Sequence, residues 1–184
     1  MHPNREECYQ ILREQGTPSH VTAHCKAVAA VAYTLAEELN KHGYDLDLDV
    51  LLAAGLLHDM ARVEDRHWDV AADYCEARGW HQEAVAIRAH MFYDRFNEPE
   101  KLNETDILCL SDRLVMEDRY AGLDARIDYI VAKARRQGKE EHVPHILRRK
   151  EETRELISRL EEIMGKTLDE LMVTIDYEHP EDHK

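Results

Sequence analysis

His58 and Asp59 stand together at the end of the apolar run Leu51-Leu52-Ala53-Ala54-Gly55-Leu56-Leu57. An imidazole beside a carboxylate in a hydrophobic interior is costly to desolvate, and a divalent cation is the strongest compensation the pair can find. Four more residues of ligand type fall near the ends or inward stripes of predicted helices: His24 upstream, and His67, His90 and Asp112 downstream. Singly, a histidine on an apolar face is more often a hydrogen-bonded core residue, and an aspartate in a helix a cap or surface group. As a set, donors of mixed imidazole and carboxylate type suffice for two metal ions, with Asp59 able to bridge them. Such ligands suit iron, manganese or zinc, and ligand chemistry alone does not choose among these.

The chain has 12 histidines, so selection matters. His20 lies one helical turn before His24 and competes for the same role. His42 reads as a helix C-terminal residue, where a cation suits the dipole. His81 reads as a helix-start residue and His2 as terminal, while His142, His145, His179 and His183 read as solvated. Arg62, one turn after His58, and Arg119, further along the predicted helix that carries Asp112, offer the fork of donors that grips phosphate oxygens. For Arg62 a surface salt bridge is an equal alternative.

The elements that must hold these residues read as helices almost throughout. There is no Asn-Gly or Asp-Gly hairpin signal, no sustained apolar–polar alternation and no internal repeat. Pro3 and Asn4 introduce a short helix ending before Gly16. Thr17-Pro18-Ser19 reads as a hydroxyl-capped start of a long helix that Gly43 closes, with His24, Val28, Val31, Leu35 and Leu39 on its inward stripe. Asp47 can cap the next helix, whose face of Leu48, Leu51, Leu52, Gly55, His58, Asp59 and Arg62 carries the His-Asp pair inward. Further helices are predicted over 67–79, 81–91, 105–119, 124–137 and 144–164, with a loop over 93–103. The last helix reads as solvated and amphipathic, with Glu151 and Glu155 spaced to pair with Arg159.

At 184 residues the chain reads as one domain able to bury roughly two thirds of its unfolded surface. Its formal charge of −14, from 38 acidic and 24 basic residues, argues against a nucleic-acid partner, which requires a basic footprint. The polar opening segment and the lack of a long apolar run predict no secretory signal and no membrane span. Cys8, Cys25, Cys75 and Cys109 form no Cys-x-x-Cys pair and read as buried free thiols of the cytoplasm. Any anionic substrate of so acidic a chain must be drawn in by local positive charge.

These residues resemble the HD-domain metal-dependent phosphohydrolases, whose pattern is a His, then His-Asp, then a distant Asp. His24-Cys25-Lys26-Ala27-Val28, followed by Ala32 and Leu35-Ala36, is similar to the first motif and favours His24 over His20. Gly55-Leu56-Leu57-His58-Asp59 is similar to the second, and Leu110-Ser111-Asp112 to the third; the likeness covers residues 20–125. His67, with Ala71 and Ala72 behind it, and Ala86-Ile87-Arg88-Ala89-His90 are similar to the two extra histidines of the dinuclear branch. That branch includes the symmetrical diadenosine tetraphosphate hydrolases of bacteria, where Arg119 also finds its match. The chain also looks like HD modules attached to nucleotidyltransferases of cofactor assembly. It departs from the pattern at Arg62, where lysine is frequent, and at Met91, where threonine is usual, and it lacks the Gly-Tyr-Pro motif of cyclic-di-GMP hydrolases.

The resemblance implies an all-α, HD-like helical bundle with the metal site between core helices, an HD core over 18–137 and C-terminal helices over 144–172. It implies a hydrolase of a phosphoester or phosphoanhydride in a nucleotide or similar small anion, acting through metal-activated hydroxide. His24, His58, Asp59 and Asp112 would hold the central metal and His67 and His90 a second. Asp59, Arg62 and Arg119 would be the catalytic residues, Asp59 bridging the metals and the two arginines orienting the phosphate. Iron is the first choice of metal, with manganese or zinc as alternatives. A di-iron oxygenase of the same ligand pattern and a non-catalytic metal- or nucleotide-sensing module are the rival readings. The charged tail helix could pack on a second copy to make a homodimer.

Overall fold

Asn4 accepts a hydrogen bond from the Glu7 N–H and Glu7 returns one to the Asn4 N–H, a capping box that starts helix α1 (Arg5–Glu14). The computed structural model of the chain describes residues 1–91, 93 and 95–182; Phe92, Asp94, His183 and Lys184 lie outside these, and with them the expectations of a solvated His183 and of loop structure at Asp94. His2, expected as a plain terminal residue, instead sets its Nδ1 2.7 Å from the fully buried Glu83 carboxylate.

The start of α2 (Ser19–Lys41) differs from expectation. Pro18 takes the cap position without a side-chain bond, and Thr17 Oγ1 donates instead to the Met60 carbonyl at 2.7 Å. The expected cap is thus a tie between α2 and the turn that follows His58-Asp59. α2 runs through the middle of the molecule, buried on every side from Ala27 to Ala32, with α3 (Leu48–Leu57) and α6 (Glu104–Asp112) packed on it. Asp47 caps α3 as predicted, accepting from the N–H groups of Asp49 and Val50.

α3 is buried continuously from Val50 to Leu57, which accounts for an unbroken apolar run in place of a stripe. Where α2 and α3 meet, a Cβ added at Gly55 would lie 2.5 Å from Ala29 Cα and 2.8 Å from Ala29 Cβ. Only glycine permits that approach. The predicted continuation of this helix to Arg62 is not seen. The Gly55 carbonyl is taken by His58 Nδ1 at 2.8 Å, and the chain turns back through bonds from Met60 N–H to the Leu57 carbonyl and from Arg62 N–H to the Asp59 carbonyl.

α4 (His67–Glu76) begins after Arg66, a non-glycine residue in the left-handed region at φ 52°, whose Nε donates to Asp69 at 2.8 Å. α5 (His81–Ala89) packs on α4 and ends at His90. A second capping box, between Asn103 and Asp106, starts α6. The predicted helix over 105–119 stops at Asp112. Two-residue strands β1 (Val115–Met116) and β2 (Arg119–Tyr120) pair antiparallel across a turn in which Glu117 has φ 56°, and the Leu114 carbonyl accepts from Ala121 and Gly122. Buried Leu114 and Val115 anchor this hairpin, and it lies against α2, so the expectation of no hairpin is corrected here.

α7 (Leu123–Arg136), α8 (Val143–Met164) and α9 (Leu168–Met172) complete the chain. α8 packs on α7 with Leu156, Leu160 and Met164 buried, and its Arg159 pairs with Glu162 at 2.6 Å, not with Glu155. The architecture is all-α, the hairpin being the only strands among the described residues. No described helix is long and apolar enough to cross a membrane.

Candidate metal centre

Four imidazoles and two carboxylates converge where α2, the end of α3, the start of α4, the end of α5 and the end of α6 meet. The rings form a row. Centroids of His24 and His58 are 5.5 Å apart, those of His58 and His90 5.1 Å, and those of His90 and His67 5.6 Å. Donor atoms fall into two groups, His24 with His58 and Asp112, and Asp59 with His67 and His90, the atoms within each group lying within 4.8 Å of one another. The exposed His20 takes no part in either.

Backbone carbonyls set the imidazoles. Nδ1 of His24 reaches the Glu117 carbonyl at 2.9 Å, Nδ1 of His58 that of Gly55 at 2.8 Å, and Nδ1 of His90 that of Ile87 at 2.6 Å. A carbonyl only accepts, so in each ring Nδ1 carries a proton; Nε2 of His58 and of His90 is left with its lone pair toward the site, while Nε2 of His24 faces Asp112. Nε2 of His58 and Nε2 of His90 are buried and have no hydrogen-bond partner. Buried polar nitrogens are seldom left so, and with one in each donor group they fit cations as the missing partners.

Asp59 stands between the groups. Its Oδ1 is 3.1 Å from His67 Nε2 and 3.5 Å from His90 Nε2, whereas its Oδ2 faces His58 Nε2 at 3.8 Å. Burial by itself would raise the Asp59 carboxyl, yet His58, His67, His90 and Arg62 together hold it well below the usual carboxylate range. Asp112 behaves likewise: burial opposes ionisation, but the hydrogen bond to His24 and the charges of His58, His24 and Arg126 keep the carboxyl low. Burial pushes His58 down to about 4 against the pull of Asp59. Burial would lower His24, but its 3.0 Å contact with Asp112, the bond to the Glu117 carbonyl and the charge of Asp59 together raise it. Two ionised carboxylates set among lone-pair-bearing nitrogens form a donor set that fits divalent metal.

The arginines divide. Arg62 Nη1 lies 2.9 Å from His67 Nε2 and 3.3 Å from Asp59 Oδ1, inside the second group. Arg119 lies on β2, not on the helix of Asp112, because that helix ends seven residues earlier; its side chain is 72% exposed and pairs with Asp118 at 3.0 Å. The expectation that Arg119 lies on the helix that carries Asp112 is therefore corrected. Sequence reasoning missed Arg126, whose Nη2 is 3.9 Å from Asp112 Oδ1. Its signal was available: a charged residue at the edge of the stripe Leu123, Ile127, Val131 and Ala134, which is buried. The hairpin's part in holding His24 had no such signal, since Glu117 contributes only its backbone.

The family model for the HD domain matches residues 21–117, which include all six converging side chains. Among curated proteins, the chain is 32% identical over 71 residues to Uncharacterized protein MJ0778 of Methanocaldococcus jannaschii, a stretch covering 37% of this chain and 42% of that relative. No solved structure matches the chain significantly. Since the matched segment spans more than half of the chain and carries its His, His-Asp and Asp residues on helices and the turn after α3, which bring them together, this protein belongs to the HD domain family.

Proposed function

We propose that the protein is a dinuclear hydrolase that cleaves a phosphoester or phosphoanhydride bond in a nucleotide or a similar small anion. The observation that carries this reading is the Asp59 carboxylate, one oxygen toward each group of imidazoles. His24, His58 and Asp112 would hold one ion and His67 and His90 the other, with Asp59 shared. Two divalent ions so held would supply a hydroxide nucleophile at neutral pH and neutralise charge on phosphoryl oxygens. The chain does the rest. Backbone carbonyls fix the imidazole tautomers, buried α3 excludes water from one side, and guanidinium groups at the rim orient the phosphate. Iron is our first choice of metal, before manganese or zinc.

We read the chain as one domain with its HD core over 18–137, acting in the cytoplasm without a nucleic-acid partner. Cys8, Cys25, Cys75 and Cys109 are all buried and unpaired, and burial pushes each thiol up, that of Cys75 to about 12, which suits inert thiols in a reducing compartment.

The test joins elemental analysis of anaerobically purified protein to turnover of nucleotides, dinucleoside polyphosphates and aryl phosphates, with iron, manganese or zinc supplied separately, in air and without it. Activity should persist without dioxygen. Asp59→Ala should lose most of its metal and at least ~100-fold in kcat/KM, while His20→Ala keeps both. Metal-replete protein that turns over none of these substrates, or only in the presence of dioxygen, would falsify the phosphohydrolase reading.

A further inference from the structure

Arg126 is a largely buried cation whose neighbours do not account for it. It lies in the first turn of α7, its side chain only 19% exposed, and its nearest carboxylate oxygen is Asp112 Oδ1 at 3.9 Å. A charge-assisted pair closes to roughly 2.7–2.9 Å, so this contact is an electrostatic neighbour and not a fork-to-carboxylate bond. Asp112 Oδ1 is already engaged by His24 Nε2 at 3.0 Å. The Nε of Arg126 is buried with no hydrogen-bond partner. A guanidinium has five donors in one plane, and leaving a buried one unmet is unfavourable unless a ligand meets it.

We infer that Arg126 is the arginine that binds substrate phosphoryl oxygens at the Asp112 end of the site, the task that sequence spacing would give to Arg119. The inference rests on the phosphohydrolase reading above and adds to it the residue that selects for an anionic, oxygen-rich group. Arg62 borders the Asp59–His67 end of the row of imidazoles and Arg126 the Asp112–His24 end, so a phosphoryl group over the row meets a guanidinium on either side. In a chain of net charge −14 these two groups provide the local attraction that the molecule as a whole does not. Arg119 is committed to Asp118 at the surface and is poorly placed to share the task.

The experiment uses the full chain loaded with metal, with inorganic phosphate as the binding probe in calorimetry and an aryl phosphate for kinetics. Arg126→Gln should weaken phosphate binding by about 10- to 100-fold and raise KM similarly, while metal content and melting temperature stay at the parental values. Arg126→Lys, which keeps the charge but not the fork, should recover only part of the loss. Phosphate affinity that is unchanged in Arg126→Gln, or is lost in Arg119→Gln instead, overturns the assignment. Loss of metal in step with phosphate affinity in both Arg126 variants also overturns it, because Arg126 would then serve only to hold Asp112. If the metal-loaded parent neither binds phosphate nor cleaves a phosphate ester, the phosphohydrolase reading itself fails, an outcome distinct from a working parent with an indifferent Arg126.

Discussion

Arg62 shows how one side chain can set the terms of metal loading. Arginine only donates, so its 2.9 Å contact with His67 Nε2 uses the same lone pair that a metal would take. Its charge, 3.3 Å from Asp59 Oδ1, also offsets the carboxylate that would attract a second ion. Filling that position requires the guanidinium to swing aside, and a side chain 42% exposed has solvent to swing into. Arg62→Ala should therefore bind the second metal equivalent about 10-fold more tightly, read by stepwise metal titration with the first equivalent little changed. Weaker second-site binding in the variant would mean that Arg62 orders His67 and Asp59 more than it competes with metal. The six converging residues were legible from type and position alone. The opposition between Arg62 and metal was not, because it depends on the chain turning back after Leu57.

At the scale of elements, the α2–α3 crossing decides whether the two halves of the site meet, since His24 rides on one helix and His58 ends the other. Alanine is better than glycine in a helix interior by about 1 kcal/mol, so Gly55→Ala would stabilise α3 if there were room. There is none: the new Cβ would meet Ala29 backbone atoms at 2.5 and 2.9 Å, and backbone yields less readily than a flexible side-chain tip. Steric cost should win. Denaturant unfolding should show Gly55→Ala destabilised by about 1–3 kcal/mol, with weaker metal binding as His24 and His58 part, and Ala29→Gly on the same chain should restore some of both. A variant as stable as its parent would show that the crossing tolerates a wider spacing.

For the whole molecule, the C-terminal elements are fastened to the HD core by charge as well as by packing. Lys166, in the link between α8 and α9, lies 2.7 Å from Glu38 of α2, a carboxylate whose side chain is only 8% exposed. That bond, with Lys41 adding to it against the cost of burial, holds the Glu38 carboxyl down at about 2 from its ordinary 4.5. A carboxyl lowered by folding contributes stability that is complete above its unfolded value and is lost as pH falls toward its folded one. Parental protein should thus shed this contribution between about pH 4.5 and 2. Lys166→Met should cost about 1–2 kcal/mol at neutral pH, less than a fully desolvated pair because Lys166 is partly solvated, and the difference from the parent should shrink across that acid window. A pH-independent difference would assign the loss to packing of the lysine stem.

The sequence by itself determined what depends on neighbours a few residues apart: the caps at Asn4 and Asp47, the long helix bearing His24, the apolar run delivering His58-Asp59, and the ligand types that mark the metal centre. Hydrogen bonds and side-chain stripes of a helix close within one or two turns, so their causes can be read locally. Tertiary structure decided where two helices stop and which arginine lies beside Asp112. α6 ends at Asp112 because Leu114 and Val115 are drawn into the core and the hairpin beyond them closes on α2, giving His24 the Glu117 carbonyl from 93 residues away. Arg126 gains its place from the same closure, and Arg119 loses the helix face that spacing assigned to it. Contacts between residues so far apart have no period in the chain, and only packing brings them together.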